Sequence, residues 1–318
     1  MTTPQVRKEE GQLNVESLTW GGLTWVNIEG PTERETEYLA QNYPFHPLDL
    51  DDCLSRIQRP KIDEYKDYLF LVFHFPVFNI ETQVTKPSQL SVFIGEKYLI
   101  TLHKGELKPL VKLFRECQID EESCQENFSQ GSSYLLYRII DRLVDYCLPI
   151  LNKIGDNIER TEDNIFSSKG MPKAIEDISI LRRDVISFRR IIWPMRAVIS
   201  SLEPKIHRFT KMDMKVYFGD MVDHVDKIWD GLDEYKEIIE GLSDTHDSLA
   251  TNRTNEVMRR LTVIATILLP ITVVASIFGM NIPLGPFRDS PYSALYISLI
   301  CLTIIIGMLY FFRRQRWI

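Results

Sequence analysis

Residues 261–287, LTVIATILLPITVVASIFGMNIPLGPF, contain no Asp, Glu, Lys or Arg. A second uncharged run, SPYSALYISLICLTIIIGMLYFF, covers residues 290–312. An α-helix needs about 20 predominantly apolar residues to cross the hydrocarbon core of a bilayer. The sequence therefore predicts two C-terminal membrane spans joined by a short loop, with the tripeptide Gly279-Met280-Asn281 at the end of the first span.

The charges of the 318-residue chain are divided unevenly between this C-terminal part and the residues before it. Residues 259–318 hold six arginines and one aspartate, which leaves 31 basic and 43 acidic residues in 1–258, a net charge of −12. An acidic body beside a basic membrane edge argues against nucleic acid and favours cations as partners.

The flanks of the two spans predict how the chain sits in the membrane. Arginines occur before the first span and after the second (Arg253, Arg259, Arg260, Arg313, Arg314 and Arg316). The connecting segment 281–291 carries only Arg288 and Asp289, whose charges cancel. The positive-inside rule therefore predicts an integral protein of the cell (inner) membrane, in contact with lipid, with both termini in the cytoplasm.

Other features of the sequence exclude several classes of protein. The first residues, MTTPQVRKEEGQ, lack the apolar core of a signal peptide. The five cysteines are scattered and show no CxxC spacing, which predicts free thiols rather than a disulfide frame or a zinc ribbon. No Gly-rich phosphate loop, HExxH or GxSxG motif is present, so we expect a protein that is not an enzyme.

The residues before the spans predict an α+β domain, in which a mixed sheet is combined with helices, followed by very long helices. Apolar runs predict strands at 23–28, 68–78, 90–94 and 98–103, and Thr32 and Pro47 predict the starts of helices 33–42 and 47–54. From Ser132 onward an apolar face of helical period predicts a helix to about Phe166, bent at Pro149. After a turn at 169–172, a second helix returns to about Leu202.

Apolar residues at spacings of 4, 3, 4, 3 and 7 then predict the longest helix of the chain (Ile228, Leu232, Tyr235, Ile239, Leu242 and Leu249). No turn signal separates them from the first span, so we expect one continuous helix from about Ile206 to Met280. The predicted organisation is a cytoplasmic α/β domain (1–130), a helical hairpin (131–204), a stalk helix that becomes the first span (205–280), an outer loop (281–291), the second span (292–312) and a basic tail (313–318).

Two helices cannot enclose a water-filled channel, so a pore requires several copies of the chain around an axis. The first span carries small and polar positions (Thr262, Ala265, Thr266, Thr272, Ala275, Ser276 and Gly279), whereas the second is uniformly bulky. Small and polar residues face protein or a cavity in membranes, which places the first span in the inner ring. The alternative is that these residues only allow the helices to pack closely.

These motifs resemble the CorA family of magnesium and cobalt transport proteins. The tripeptide 279–281 matches the family signature, and residues 254–258 and 261–262 resemble its pore-helix entry. Further likeness lies in 264–267 with Pro270, in Tyr134-Leu135-Leu136-Tyr137, Trp193-Pro194-Met195-Arg196 and Arg59-Pro60-Lys61, and in the last six residues. The resemblance implies a funnel-shaped homopentamer that passes Mg²⁺, with Co²⁺ and Ni²⁺ as further candidates, and implies no other protein partner.

The resemblance also implies roles for particular residues. Gly279, Met280 and Asn281 would form the selectivity filter, a ring of amide and carbonyl oxygens that hydrogen-bonds a hydrated ion. The family's pore lining falls on Asn255, Met258, Leu261, Ala265, Leu269, Thr272 and Ser276. Their spacings of 3, 3, 4, 4, 3 and 4 form one helical stripe, with Met258 and Leu261 as the hydrophobic constriction. Arg313, Arg314 and Arg316 resemble the family's basic ring, although positive-inside anchoring explains them equally well.

Gating in the family is linked to regulatory Mg²⁺ held between cytoplasmic domains. By resemblance Asp220 is one ligand, and Asn79 stands where an aspartate of the neighbouring subunit is expected. This departure halves the charge of the site unless Glu81 or water-mediated contacts compensate. Two other departures are Phe278 in place of the usual tyrosine and an outer loop without the common acidic motif.

A second hypothesis is a transporter for Zn²⁺ or another transition metal, of the related zinc branch, with or without proton coupling. That branch more often carries Gly-Val-Asn, so Met280 argues against it. Soft ligands near the pore would favour it, and His246 is the nearest upstream histidine.

Overall fold

The computed structural model describes residues 5–8, 13–55, 58–167, 171–210, 212–280, 292–315 and 317. The chain divides into two compact units, Met1–Ser243 and Asp244–Ile318. The described strands are β1 Gln5–Lys8, β2 Val15–Trp20, β3 Leu23–Glu29, β4 Lys61–Glu64, β5 Leu69–Asn79, β6 Val84–Ile94 and β7 Tyr98–His103. The described helices are α1 Glu33–Asn42, α2 Pro47–Leu54, α3 Lys108–Ile119, α4 Glu121–Phe128, α5 Ser132–Asp145, α6 Cys147–Phe166, α7 Met171–Ile206, α8 Lys215–Gly279 and α9 Ser293–Arg314.

The first unit is built on a seven-stranded mixed sheet of order β1-β2-β3-β7-β6-β5-β4. Among the described strands, β3 and β7 pair in parallel and the other neighbours pair antiparallel. Because successive side chains point to opposite faces of a strand, Val26 and Ile28 pack with Leu39 of α1 while Trp25 meets Phe114 of α3 at 4.9 Å between ring centroids. The mixed sheet is therefore packed against helices on both of its faces.

The predicted strands and the predicted helices α1 and α2 agree with the structure, with one substantial change. The strand predicted at 98–103 and the helices at 33–42 and 47–54 have the predicted bounds. Strand β6, however, begins at Val84 rather than Leu90, since its first half pairs with β5 as far as Val84 opposite Asn79. Lys86 and Pro87 interrupt the apolar pattern there, which is why the sequence indicated only the second half.

The helical hairpin differs from its prediction at Pro149. The predicted bent helix consists of two helices, α5 and α6, that meet at Tyr146. Pro149 lies in the first turn of α6, where the backbone N–H groups have no partner within the helix, so its missing N–H costs nothing. The predicted turn at 169–172 falls largely outside the described residues, and α7 begins at Met171.

The boundary between hairpin and stalk also needs correction. Helix α7 continues through Pro204 to Ile206, because Leu202 and Ile206 are fully buried and their packing holds the last turn. A short 3₁₀ turn, His207–Phe209, follows, and α8 starts at Lys215 instead of Ile206. The predicted continuity into the first span is confirmed, since α8 runs without a break to Gly279 with Pro270 inside it.

Candidate functional site

Helices α5 and α8 approach each other through aromatic residues of the first unit. Tyr217 at the start of α8 lies 5.8 Å from Tyr134 and 5.0 Å from Tyr137 between ring centroids. Asp141 follows Tyr137 by one turn of α5, and Asp220 follows Tyr217 by about one turn of α8. This packing brings acidic side chains of the two helices to one place.

A cluster of possible metal ligands results, formed by Asp141, Asp220 and His224. One ligand atom from each residue lies within 4.8 Å of the others. Nε2 of His224 is 3.9 Å from Oδ2 of Asp220, and its Nδ1 is 3.7 Å from Oδ1 of Asp145. That Nδ1 is buried and makes no hydrogen bond within the described part of the chain. Carboxylate oxygens with one imidazole nitrogen form a donor set for a divalent cation.

The electrostatics of this cluster favour a bound cation. Burial raises the pKa of Asp141, and the negative charges of Asp145 and Asp220 raise it further, against the opposing effects of Arg138 and His224. Crowded carboxylates resist ionisation unless a positive charge neutralises them. Asp220 itself is exposed, so an ion could reach the cluster from solvent.

The structure brings Asp220 together with residues that the sequence prediction missed. Asp141 and Asp145 are one turn apart on α5, and Asp220 and His224 are one turn apart on α8, so the i, i+4 spacing was a visible signal. Their convergence could not be read from the sequence, because it depends on how the two helices pack. Glu81 does not belong to this cluster among the described residues.

Asn79 and Glu81 lie instead at the turn between β5 and β6. Oδ1 of Asn79 accepts hydrogen bonds from the backbone N–H groups of Glu81 at 2.9 Å and Thr82 at 3.3 Å. An amide oxygen has two lone pairs, and the turn occupies both. Asn79 therefore has a structural role that an additional metal ligand bond would disturb. Its pairing with Asp220 was predicted between subunits and stays a prediction.

Two further groups of acidic and histidine residues occur in the first unit. In the group of Asp49, Asp52 and Asp63, the ammonium of Lys61 lies 2.6 Å from Oδ2 of Asp52 and also pairs with Asp63. This group thus already holds a cation of its own chain. The group of Glu203, His207 and Asp213 is more open, and His207 contacts Glu203 through its Nε2 at 2.7 Å.

The C-terminal part of α8 has two distinct faces in the second unit. All seven residues of the predicted pore stripe, from Asn255 to Ser276, are exposed. The least exposed positions form another stripe (Val263, Ile267, Pro270, Val274 and Phe278). At about 100° per residue, the two stripes lie on opposite sides of the helix. The predicted pore stripe is therefore a surface that the described residues leave uncovered.

Three threonine hydroxyl groups on this half of α8 form hydrogen bonds within the helix. Thr262, Thr266 and Thr272 each donate to the carbonyl oxygen four residues earlier, at 2.8, 2.7 and 2.9 Å. Such bonds reduce the free-energy cost of placing a hydroxyl group in an apolar environment. They leave the acceptor lone pairs of Thr272 free on the exposed stripe.

The signature tripeptide begins where α8 ends. Gly279 is the last helical residue, and the N–H of Met280 donates to the carbonyl of Ile277 at 3.3 Å. Asn281 lies outside the described residues. On α9, Arg313 and Arg314 occupy the last turn and are exposed, while Arg316 also lies outside the described residues.

Both α8 and α9 contain stretches that are long and apolar enough to cross a membrane, and almost none of either stretch is buried. Residues 20–314 match the family model described as CorA-like Mg²⁺ transporter protein. The chain belongs to this family. It is therefore a CorA-like divalent metal ion transporter of the membrane, and the family is one of transporters rather than enzymes.

Relatives of this CorA-like chain support the same assignment. "Putative metal ion transporter YfjQ" of Bacillus subtilis is 31% identical over 92% of this chain and 89% of its own length. The cobalt/magnesium transport protein CorA of Thermotoga maritima is 28% identical over 93% and 83%. The complete structure of the CorA magnesium transporter from Methanocaldococcus jannaschii superposes with a TM-score of 0.81 at 22% identity, covering all of this chain and 98% of that one. The predicted fold class is thereby confirmed over the whole chain.

Proposed function

We propose that this CorA-like chain is a homopentameric channel that carries Mg²⁺, and also Co²⁺, into the cell. The single observation that carries the proposal is that the unbroken α8 ends at Gly279, the first residue of the signature tripeptide, beyond an exposed stripe of pore-type residues. Mg²⁺ holds its hydration shell tightly. A ring of Asn281 amides would bind the hydrated ion through its waters and need not strip them.

The arrangement in the membrane follows from the arginine flanks. Arg259 and Arg260 precede the first span, and Arg313 and Arg314 end the second, which favours cytoplasmic placement of both ends. The filter would then face the outside of the cell membrane, and the acidic first unit would face the cytoplasm. The inside-negative membrane potential would drive cations inward through such a pore.

The exposed stripe of α8 supports a conduction path between several copies. Met258 and Leu261 are 58% and 56% exposed in the single chain. Met258 lies just before the uncharged stretch 261–287, and Leu261 is its first residue. Together they form a large exposed apolar surface. Five copies would turn this surface into a narrow hydrophobic ring, which blocks ions by excluding water. Asn255 would add a polar ring one turn below.

Regulation by cytoplasmic Mg²⁺ would act through the cluster of Asp141, Asp220 and His224. Two carboxylates in one chain supply the hard oxygen ligands that Mg²⁺ prefers, which compensates for the neutral residue at Asn79. Because the Asn79 oxygen is engaged in its turn, Glu81 is the better candidate for a ligand contributed by a neighbouring subunit.

One observation favours a second candidate function, transport of Zn²⁺ or another transition metal. The imidazole of His224 beside two aspartates is a donor that suits Zn²⁺, Co²⁺ and Ni²⁺ better than Mg²⁺. The zinc transport protein ZntB of Yersinia pseudotuberculosis is 21% identical over 92% of this chain. Flux competition among Mg²⁺, Co²⁺, Ni²⁺ and Zn²⁺ in liposomes, with and without a pH gradient, separates the two functions.

The filter is tested by the variant Asn281→Ala in reconstituted liposomes. We expect loss of Mg²⁺ flux while the oligomer keeps its elution volume in detergent. Asn164→Ala, an asparagine of α6 in the first unit, is the matched control and should transport normally. Normal flux through Asn281→Ala would refute the filter assignment.

A further inference from the structure

A cavity of about 590 Å³ lies between α7 and the sheet of the first unit, beside Trp193. Its lining includes Arg59, His74, Arg190 and Arg196, and no carboxylate is among the described residues that line it. This is an unusual local charge in a part of the chain that carries a net charge of −12 over residues 1–258. The cavity is therefore a positive pocket in a negative body, which favours an anionic ligand.

Two of these arginines have no carboxylate partner among the residues that the structure describes. Arg196 is paired with Asp226 of α8, to which its Nη2 donates at 2.9 Å. Arg59 and Arg190 are exposed, and neither forms an ion pair with a described residue. Guanidinium groups match phosphate oxygens with two parallel hydrogen bonds. Arg59 and Arg190 are thus the groups available to bind a phosphate.

The aromatic wall of the cavity adds a second type of recognition. The ring of Trp193 is 58% exposed, and its centroid lies 4.8 Å from that of Trp229. The guanidinium of Arg189 covers Trp229 at 4.4 Å, so that ring is already occupied. Trp193 keeps an exposed surface on which a flat aromatic ring can stack.

A second, more apolar cavity of about 510 Å³ adjoins the first. Both are lined by Arg190, Trp193 and Pro194, so the two spaces meet at the tryptophan. Ile186 and Trp229 line the second cavity. Each volume is within the range of small-molecule sites. One end of the combined space is thus lined by the guanidinium groups of Arg59 and Arg196, and the other is largely aromatic and apolar, with Arg189 and Lys236 also in its lining.

We propose that this double cavity binds a nucleoside di- or triphosphate, with the phosphates at Arg59 and Arg190 and the base against Trp193. The site is separate from the Asp141–Asp220–His224 cluster and does not depend on which metal ion is transported. Trp229, Asp226 and Asp233 belong to α8, and Arg189 and Arg196 of α7 are bound to the two aspartates. A bound nucleotide would therefore contact the same helix that carries the predicted pore stripe.

The test is a titration of ATP into the full-length protein in detergent with EDTA and no divalent cation, followed by calorimetry and tryptophan fluorescence. We expect saturable binding that is tighter than that of inorganic tripolyphosphate or of adenosine. The double variant Arg59→Gln/Arg190→Gln should weaken ATP binding at least about tenfold, the loss expected for a charge-assisted hydrogen bond. Trp193→Leu should weaken ATP binding and leave tripolyphosphate binding unchanged.

Matched variants decide between a built site and general attraction. Arg183→Gln removes an exposed arginine of the same helix outside both cavities and should bind ATP normally. Arg190→Lys keeps the charge and should retain part of the affinity for ATP. This result would show that the loss of affinity in the glutamine variant is not due to misfolding.

Absence of saturable binding, or equal weakening by Arg183→Gln, would overturn the proposal. Tripolyphosphate binding as tight as ATP would overturn the assigned role of Trp193. Asn281→Ala should bind ATP normally, so failure of the filter proposal and failure of this one are distinguishable.

Discussion

Nε2 of His224 lies 3.9 Å from Oδ2 of Asp220, one turn earlier on the same helix. With Asp141 of α5 beside them, the two residues combine hard oxygen donors with a borderline nitrogen donor. Removal of an oxygen donor and removal of the nitrogen donor should therefore weaken the binding of different metal ions.

Loss of a carboxylate from the cluster should weaken Mg²⁺ binding. Asp220→Ala and Asp141→Asn remove negative oxygen ligands, so we expect the Mg²⁺ concentration for half-maximal protease protection to rise at least about tenfold. Limited proteolysis of the full chain across a Mg²⁺ series measures this. Asp163→Asn, an exposed acid of α6, is the control. Unchanged protection in Asp220→Ala would show that the regulatory site lies elsewhere.

Loss of the imidazole should act selectively. His224→Ala is expected to reduce protection by Co²⁺ and Ni²⁺ while protection by Mg²⁺ stays close to that of the original chain, since Mg²⁺ prefers oxygen ligands. The same proteolysis assay with each metal gives the comparison. An equal loss for all three metals would indicate that His224 only supports the packing of α5 on α8.

A polar residue at Met258 should open the proposed constriction. Met258→Ser allows water into an apolar ring, so we expect Mg²⁺ flux at high internal Mg²⁺ that the original chain does not allow. Ile264→Ser introduces the same change at an exposed position of α8 outside the stripe and should remain closed. Liposome flux at several internal Mg²⁺ concentrations tests the pair, and identical leaks in both would argue against a constriction at Met258.

A buried contact between α7 and β6 should contribute to the stability of the first unit. Oδ1 of Asp184 accepts from the backbone N–H of Thr85 at 2.6 Å, and Oγ of Ser187 donates to the Thr85 carbonyl at 2.5 Å. Asp184→Ala leaves this N–H without its partner, at a cost of about 1–3 kcal/mol in the free energy of unfolding. Denaturant unfolding followed by circular dichroism measures it. Glu176→Ala, an exposed change on α7, should stay within about 0.5 kcal/mol.

Acid should destabilise the first unit through His103. Burial lowers the pKa of His103 from 6.5 to about 4, and the neutral ring accepts from the N–H of Gly105 at Nδ1 and contacts Asn27 Oδ1 at Nε2. As the pH falls, the unfolded chain binds a proton at this histidine at a higher pH than the folded chain does. The free energy of unfolding therefore keeps its full value above pH 6.5 and decreases as the pH falls toward 4. The difference in pKa between the folded and the unfolded chain corresponds to a loss of roughly 3 kcal/mol in the free energy of unfolding.

The variant His103→Gln tests this pH dependence. It removes the titrating group, so its stability between pH 7 and pH 4 should change less than that of the original chain. Thermal unfolding of the full chain and of the variant at several pH values gives both slopes, and equal slopes for the two chains would contradict the role of His103.

Local patterns predicted much of the fold. The run 98–103 became β7, and Thr32 and Pro47 marked the starts of α1 and α2 correctly. Each of these signals depends on residues close in sequence, such as a capping carboxylate at Glu35 that accepts from the N–H of Thr32 at 2.8 Å. The edge strand β4, Lys61–Glu64, had no comparable signal, since only its pairing with β5 makes it a strand.

The sequence by itself determined the two apolar C-terminal helices, the unbroken α8, the helical stripe from Asn255 to Ser276 and the family. These properties depend on composition and on sequence periods of a few residues, which do not require tertiary contacts. Only the tertiary structure decided that Asp220 meets Asp141 and His224, that the Asn79 oxygen is engaged in its own turn, and that Arg59 and Arg190 line a cavity beside Trp193. In the Asp220 cluster and in the cavity beside Trp193, the packing of α5, α7, α8 and the sheet brings together residues that are distant in sequence. No local sequence pattern predicts the distances between such residues.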